Sequence, residues 1–202
     1  MNNQQTGIAH AWQTLKKRDS DSVSKNAGAR YDPARSSFSL KIYSFDVVVY
    51  LNEENLLSKS PQSDLLLQRL GYFSQLAILW YLITARETPL SGELMRPTSL
   101  PGGQMYTGGS HVLPLDNLAQ KYDGTLDEFI RRGKELGGTQ ITFGDAAIKL
   151  FPFPRVPVSI VLWEHDEEFP ARADLLFDTT CQSHLPMDMI WSTAMMSLLL
   201  FL

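Results

Sequence analysis

Near the start of the chain the apolar positions are sparse and helical in spacing. Ala11, Trp12, Leu15 and Val23 stand among Lys16, Lys17, Arg18, Asp19 and Asp21, which predicts a short amphipathic helix over Ile8–Val23. The polar stretch Asp19–Ser24 frays it, and Asn26-Ala27-Gly28 is its stop. From Ser37 the period drops to two. Phe38, Leu40 and Ile42 alternate with Ser37, Ser39, Lys41 and Tyr43, the pattern of a half-buried strand. Phe45 and the run Val47–Leu51 form a second strand ending at Asn52-Glu53-Glu54-Asn55, so the two read as a hairpin.

Pro61–Arg86 is the clearest helix, capped by Ser60 or Ser63, with Leu66, Leu70, Phe73, Ala77, Trp80 and Thr84 at three- and four-residue steps. It is apolar on nearly every side and is therefore expected at the centre of the core. Thr88–Pro114 is rich in proline and glycine and reads as turns and loop. Leu115–Tyr122 and Thr125–Leu136 are two short helices, the second opened by Thr125 with Glu128 at capping-box spacing. Strands are expected at Thr139–Phe143, Ala146–Phe151, Pro157–Glu164 and Ala173–Phe177, joined by short links as an antiparallel meander. Pro157–Glu164 is apolar on both faces, which marks a central strand. Pro186 opens a terminal amphipathic helix over Met187–Leu202. The sum is an α+β fold: a mainly antiparallel sheet with a central buried helix and flanking helices. It reads as one domain over residues 1–202, with a helical N-terminal part to residue 30 and a main body from residue 31.

Composition narrows the function classes. Apolar residues at 44% and charged residues at 20% exclude a disordered chain. Eighteen basic against 22 acidic residues leave a net charge of −4, which argues against a globally basic nucleic-acid binder and leaves room for a local basic patch. Cys181 is the sole cysteine. It excludes an intrachain disulfide, a four-cysteine iron–sulfur cluster and a cysteine-rich zinc site, and it suits a reducing compartment. The start of the chain lacks the pattern of a signal peptide, and the apolar stretches Tyr72–Ala85 and Ile190–Leu202 fall short of the ~20 residues needed to cross hydrocarbon. A cytoplasmic protein without a membrane span is the expectation.

Candidate chemistry gathers in the last third. In Glu164-His165-Asp166-Glu167-Glu168-Phe169-Pro170, clustered carboxylates repel one another unless water, a cation or arginines compensate. Glu164, His165, Asp166 and Asp178 are the candidate metal ligands, with Asp145 close by; the alternative is a solvated hairpin tip. Arg155 lies between Pro154 and Pro157, which pre-position a guanidinium able to clamp a carboxylate or phosphate, or to pair internally with the acidic segment. Cys181 precedes His184 by three residues, but local Cys-x-x-His spacing is weak grounds for a nucleophile, and a small buried apolar role is expected for the thiol. Gly102 and Gly103 fit a tight turn or a close backbone approach to a ligand. The sequence holds no phosphate-loop, dinucleotide, His-Glu-x-x-His or nucleophile-elbow motif.

Taken in order, Leu100-Pro101-Gly102-Gly103, Leu136-Gly137-Gly138, Gly144-Asp145, Pro154-Arg155-Val156-Pro157-Val158, Trp163, Asp166-Glu167-Glu168-Phe169-Pro170-Ala171 and Leu176-Phe177-Asp178 resemble a family known as domain of unknown function 3786, seen mostly in anaerobic bacteria and archaea. The resemblance runs from the Tyr31-Asp32 turn to the terminal helix. Some relatives carry an added iron–sulfur segment, which implies a role beside anaerobic redox or corrinoid chemistry. In this chain any such cluster would belong to a redox, corrinoid or iron–sulfur partner protein. The resemblance carries over no catalytic residue.

The leading expectation is a cytoplasmic small-molecule or cofactor-binding accessory module of anaerobic metabolism. Its ligand would be held by Gly102, Gly103, Asp145, Arg155, Glu167 and Glu168, with the acidic bend and Arg155 meeting at one hollow. The alternatives are a metal-dependent hydrolase using the acidic cluster and a structural interaction protein.

Overall fold

A computed structural model describes residues 3–60, 63–104 and 108–202. Where the spacing predicts one N-terminal helix, two form: α1 (Asn3–Lys16) and α2 (Ser20–Ala27). The polar stretch between them is a start signal. Asp19 is extended and its carboxylate accepts the Ser22 N–H at 2.9 Å, capping α2. Gly28, at φ 63°, ends α2 in the left-handed region as its sequence promises.

The expected hairpin is the middle of a four-stranded antiparallel meander, β1 (Arg30–Asp32), β2 (Ser37–Ile42), β3 (Phe45–Tyr50) and β4 (Asn55–Ser58). The outer strands are short and polar, so alternation over them is too brief to read. Phe38, Leu40, Ile42, Val47 and Val49 face inward and are buried. The long predicted helix is broken near Leu70. A wide π-type turn at Leu65–Arg69 precedes α3 (Gly71–Thr84), which has no side-chain cap; the Ser63 hydroxyl donates instead to Ser60 O. From Ser74 onward α3 is buried almost continuously, as a central helix should be.

The two short helices form as α4 (Leu115–Tyr122) and α5 (Leu126–Glu135), but Thr125 at the start of α5 makes no side-chain cap hydrogen bond, so the capping box with Glu128 does not close. A second antiparallel sheet has the order β5-β9-β8-β7-β6, from β5 (Leu94–Met95), β6 (Thr139–Ile141), β7 (Ala146–Phe153), β8 (Val156–Trp163) and β9 (Arg172–Asp178). β8 is its central strand and is buried along its length up to Trp163. The chain thus builds two antiparallel sheets, and α6 (Met187–Leu199) returns against α3. Among the described residues no helix is long and apolar enough to cross a membrane.

Tyr43 locks the sheets together. In the β2–β3 turn it sits at φ 53°, donates its N–H to Phe151 O at 2.9 Å and shares a 2.9 Å hydrogen bond between its hydroxyl and Ser197 Oγ. A left-handed tyrosine costs on the order of 1 kcal/mol, tolerated because its surroundings over-determine it. On the other side of the core the Tyr81 ring stacks on Phe153 with centroids 4.5 Å apart.

Candidate functional site

β8 sets the distance between the features expected to meet. Arg155 lies in the turn that enters it, and the acidic bend leaves its far end, so at about 3.3 Å per residue the two are separated by about 26 Å. Arg155 therefore clamps neither Glu167 nor Glu168. Its guanidinium turns to the C-terminus of α2, where Nε donates to Asn26 O at 2.6 Å and Nη2 to Lys25 O at 3.0 Å. A cation there satisfies orphan carbonyls and meets the negative end of the helix dipole. Tyr81 completes the joint, donating its hydroxyl proton to Ala27 O at 2.8 Å and accepting the Arg155 N–H at 3.2 Å.

At the other end of β8 a hollow of about 570 Å³ does exist, with Asp145, Glu164 and Asp166 on its wall. The guanidinium beside them is that of Arg172, which lies across from Trp163 in the sheet and stacks 4.0 Å from its ring centroid. The carboxylates already hold backbone donors. Asp145 Oδ2 accepts the Glu164 N–H at 2.9 Å, Glu164 Oε1 accepts Gly124 N–H at 3.2 Å, and Asp166 Oδ1 accepts Glu168 and Phe169 N–H at 2.8 and 2.7 Å. These last bonds hold the Asp166 carboxyl below the usual range. His165 leaves the cluster for Asp123, with Nδ1 2.9 Å from Oδ2, and that carboxylate raises the imidazole pKa. Glu167 and Glu168 are exposed and lie outside the hollow.

Asp178 stands at the opposite end of β9, remote from the bend. It is buried, which by itself would raise its pKa. Hydrogen bonds from Thr180, Gly92 and Ser91 outweigh the burial and hold the carboxyl at about 2. Its neighbours Cys181 and His184 are equally buried. Burial pushes the thiol up to about 12, the opposite of an activated nucleophile. His184 accepts the Arg86 N–H through Nδ1 at 3.4 Å, which puts the ring proton on Nε2, where it finds no partner among the described residues. Burial, then the charge of Arg155, lowers its pKa. Among the described residues no three His, Cys, Asp or Glu side chains converge as a metal cluster would require, so Glu164, His165, Asp166 and Asp178 do not form one site. Gly102 and Gly103 make a tight turn. Gly102 has φ 83°, and a Cβ on Gly103 would stand 2.0 Å from Pro97 O, so backbone packing accounts for the pair.

A further concavity lies on residues that carry no sequence motif. The outward face of the first sheet forms a basin of about 780 Å³. Cross-strand register places Arg30, Ser39, Val48 and Leu57 in one row and Lys41 beside Asp46 in the next. Tyr50 and Lys59 complete its lining, and Leu57 is 51% exposed. The signal was present in β3, where Val48 and Tyr50 take outward positions that a solvated sheet face would fill with polar residues.

The family model for domain of unknown function (DUF3786) matches residues 19–198, which span both sheets and α2 to α6 but not α1. The chain belongs to this family. No curated protein and no solved structure matches it. The stretch shared with DUF3786 contains the basin, the acidic bend and the buried Asp178–His184 turn alike. Of these three, the basin has the larger volume and sets Val48, Tyr50 and Leu57 beside Arg30, Lys41 and Lys59, the usual make-up of a ligand site.

Proposed function

We propose that this DUF3786 chain is a small-molecule-binding accessory module whose seat is the basin on the open face of the first sheet. The observation that carries this reading is the basin itself, about 780 Å³ in volume, within the ~300–1,000 Å³ common for ligand sites, and floored by apolar side chains with a few polar groups around them. An accessory role is supported by the thiol and imidazole best suited to chemistry being buried, the thiol with its pKa raised and the imidazole with its pKa lowered. The family resemblance adds the expectation of cytoplasmic work beside anaerobic redox or corrinoid chemistry, with any cluster supplied by a partner.

Native mass spectrometry of protein purified without oxygen, with thermal shifts across a cofactor panel, tests the reading. A bound small molecule, or a stabilisation of a few degrees that disappears in Leu57→Asp, is the expected result. Bare polypeptide with no shift from any panel member would overturn it. The acidic bend favours a second role. Phe143 and Phe169, 46% and 65% exposed, flank Trp163 and the carboxylates, a surface suited to a partner that presents a cationic loop.

A further inference from the structure

The charge around the basin runs against the charge of the molecule. Its lining holds Arg30, Lys41 and Lys59 against the single acid Asp46, in a chain whose net charge is −4. Lys41 is drawn to Asp46 only loosely, at 3.5 Å with both side chains well exposed. Among the described residues neither Arg30 nor Lys59 has an ion-pair partner. Three cations facing one hollow repel one another, and a bound anion relieves that repulsion.

Their placement is as informative as their number. Arg30 sits on the edge strand β1 and Lys59 one residue beyond the opposite edge strand β4, with Lys41 between them on β2. The centre is different in kind. Val48 and Leu57 are cross-strand partners on the outward face, and Tyr50 follows on the same side of β3. The floor is therefore apolar, and the cations stand around it.

From this arrangement we infer that the basin takes an oxyanion carried on a flat apolar body, the body lying on Val48, Tyr50 and Leu57, the carboxylate or phosphate held by Arg30 and Lys41 on the neighbouring strands β1 and β2, and Lys59 adding its charge from the opposite edge. Arginine offers a planar fork that matches either oxyanion, and the two lysines add point charges. The concave, bounded shape fits a discrete small molecule better than an extended anionic surface. This inference rests on the reading of the basin as a ligand seat and adds the class of ligand and its orientation.

Three matched probes separate the two claims: naphthoate, naphthyl phosphate and the uncharged naphthamide, titrated by amide chemical-shift mapping and by probe fluorescence on the full chain. One or both anions should bind about tenfold more tightly than naphthamide, as expected for one charge-assisted contact, with shifts at Arg30, Val48, Leu57 and Lys59. Added salt should weaken the anions selectively. Arg30→Glu or Lys59→Glu, both exposed and free of packing duties, should remove that advantage while leaving naphthamide unchanged. A larger gain for naphthyl phosphate supports a phosphorylated ligand, and a larger gain for naphthoate supports a carboxylate. Equal binding of all three probes, indifferent to charge reversal, overturns the ligand class and leaves the seat standing. Shifts that fall elsewhere, or nowhere, overturn both. Cosedimentation with phosphatidylserine vesicles in place of probe binding overturns the small-molecule assignment.

Discussion

His184 is a polar side chain held in the core with one ring nitrogen unanswered. Its folded-state pKa is depressed below the ordinary 6.5, by burial first and by the Arg155 charge second, with Asp178 pulling weakly the other way. Above the unfolded-state value both states are neutral and the residue adds no pH dependence. Below it the unfolded chain takes up a proton that the folded chain resists, so stability falls as pH drops from about 6.5 toward the folded-state value. Urea midpoints measured between pH 7.5 and 5.5 are expected to fall in the wild type and to fall less in His184→Gln. The thiol one turn away gives a second prediction. Cys181 is 1% exposed, with its pKa raised to about 12, so a disulfide reagent at neutral pH should label it only at the rate of unfolding, and in stoichiometric yield after denaturation. Rapid labelling of the native chain would contradict its placement.

At the scale of elements, the most densely bonded carboxylate among the described residues ends β9. Asp178 receives five hydrogen bonds, from the Ser91 and Thr180 backbone and hydroxyl groups and from the Gly92 backbone. It thereby fastens the irregular segment after α3 to the second sheet. Because its carboxyl titrates at about 2 in the fold against 3.8 unfolded, its contribution is complete above pH 4 and is lost as pH falls from about 4 to 2. Asp178→Ala should cost on the order of 3 kcal/mol by chemical denaturation, since several donors lose their acceptor together. Much at this scale was legible in the residues. The all-round apolar run of α3, the two-faced run of β8 and the Gly28 stop each announce their element through a local pattern that burial then enforces. What was not legible depends on distant partners. The carbonyls that hold Arg155 come from Lys25 and Asn26, 130 and 129 residues upstream, and no spacing rule reaches that far. The basin escaped notice for the same reason. Its cations arrive one per strand from β1, β2 and the end of β4, so they never form a charged run, whereas Glu164–Glu168 form one in which Asp166 binds its own backbone and Glu164 and His165 turn to Gly124 and Asp123.

For the molecule as a whole, the second sheet is a spacer with opposite characters at its two ends. The acidic bend closes one end, and at the other the Arg155 turn reaches the first half of the chain through α2. Arg155→Met keeps much of the side chain's bulk and removes both hydrogen bonds to α2. It should destabilise the protein by about 1–3 kcal/mol, in the range for charge-assisted bonds on a partly exposed group, measured by equilibrium urea unfolding. A loss under a few tenths would mean that α2 is held by packing alone.

The grip of Arg155 on α2 has one more consequence. Lys25 and Asn26 precede Gly28, Ala29 and Arg30, which form one wall of the basin, so that wall hangs from the β7–β8 turn like a shelf from a bracket. An occupant that orders Arg30 and its wall would also steady the bracket, and by thermodynamic reciprocity loosening the bracket would then weaken the hold on that occupant. Amide hydrogen exchange should record this as slower exchange at Arg155 when the seat is filled, a signal transmitted through one guanidinium and the Tyr81 hydroxyl beside it.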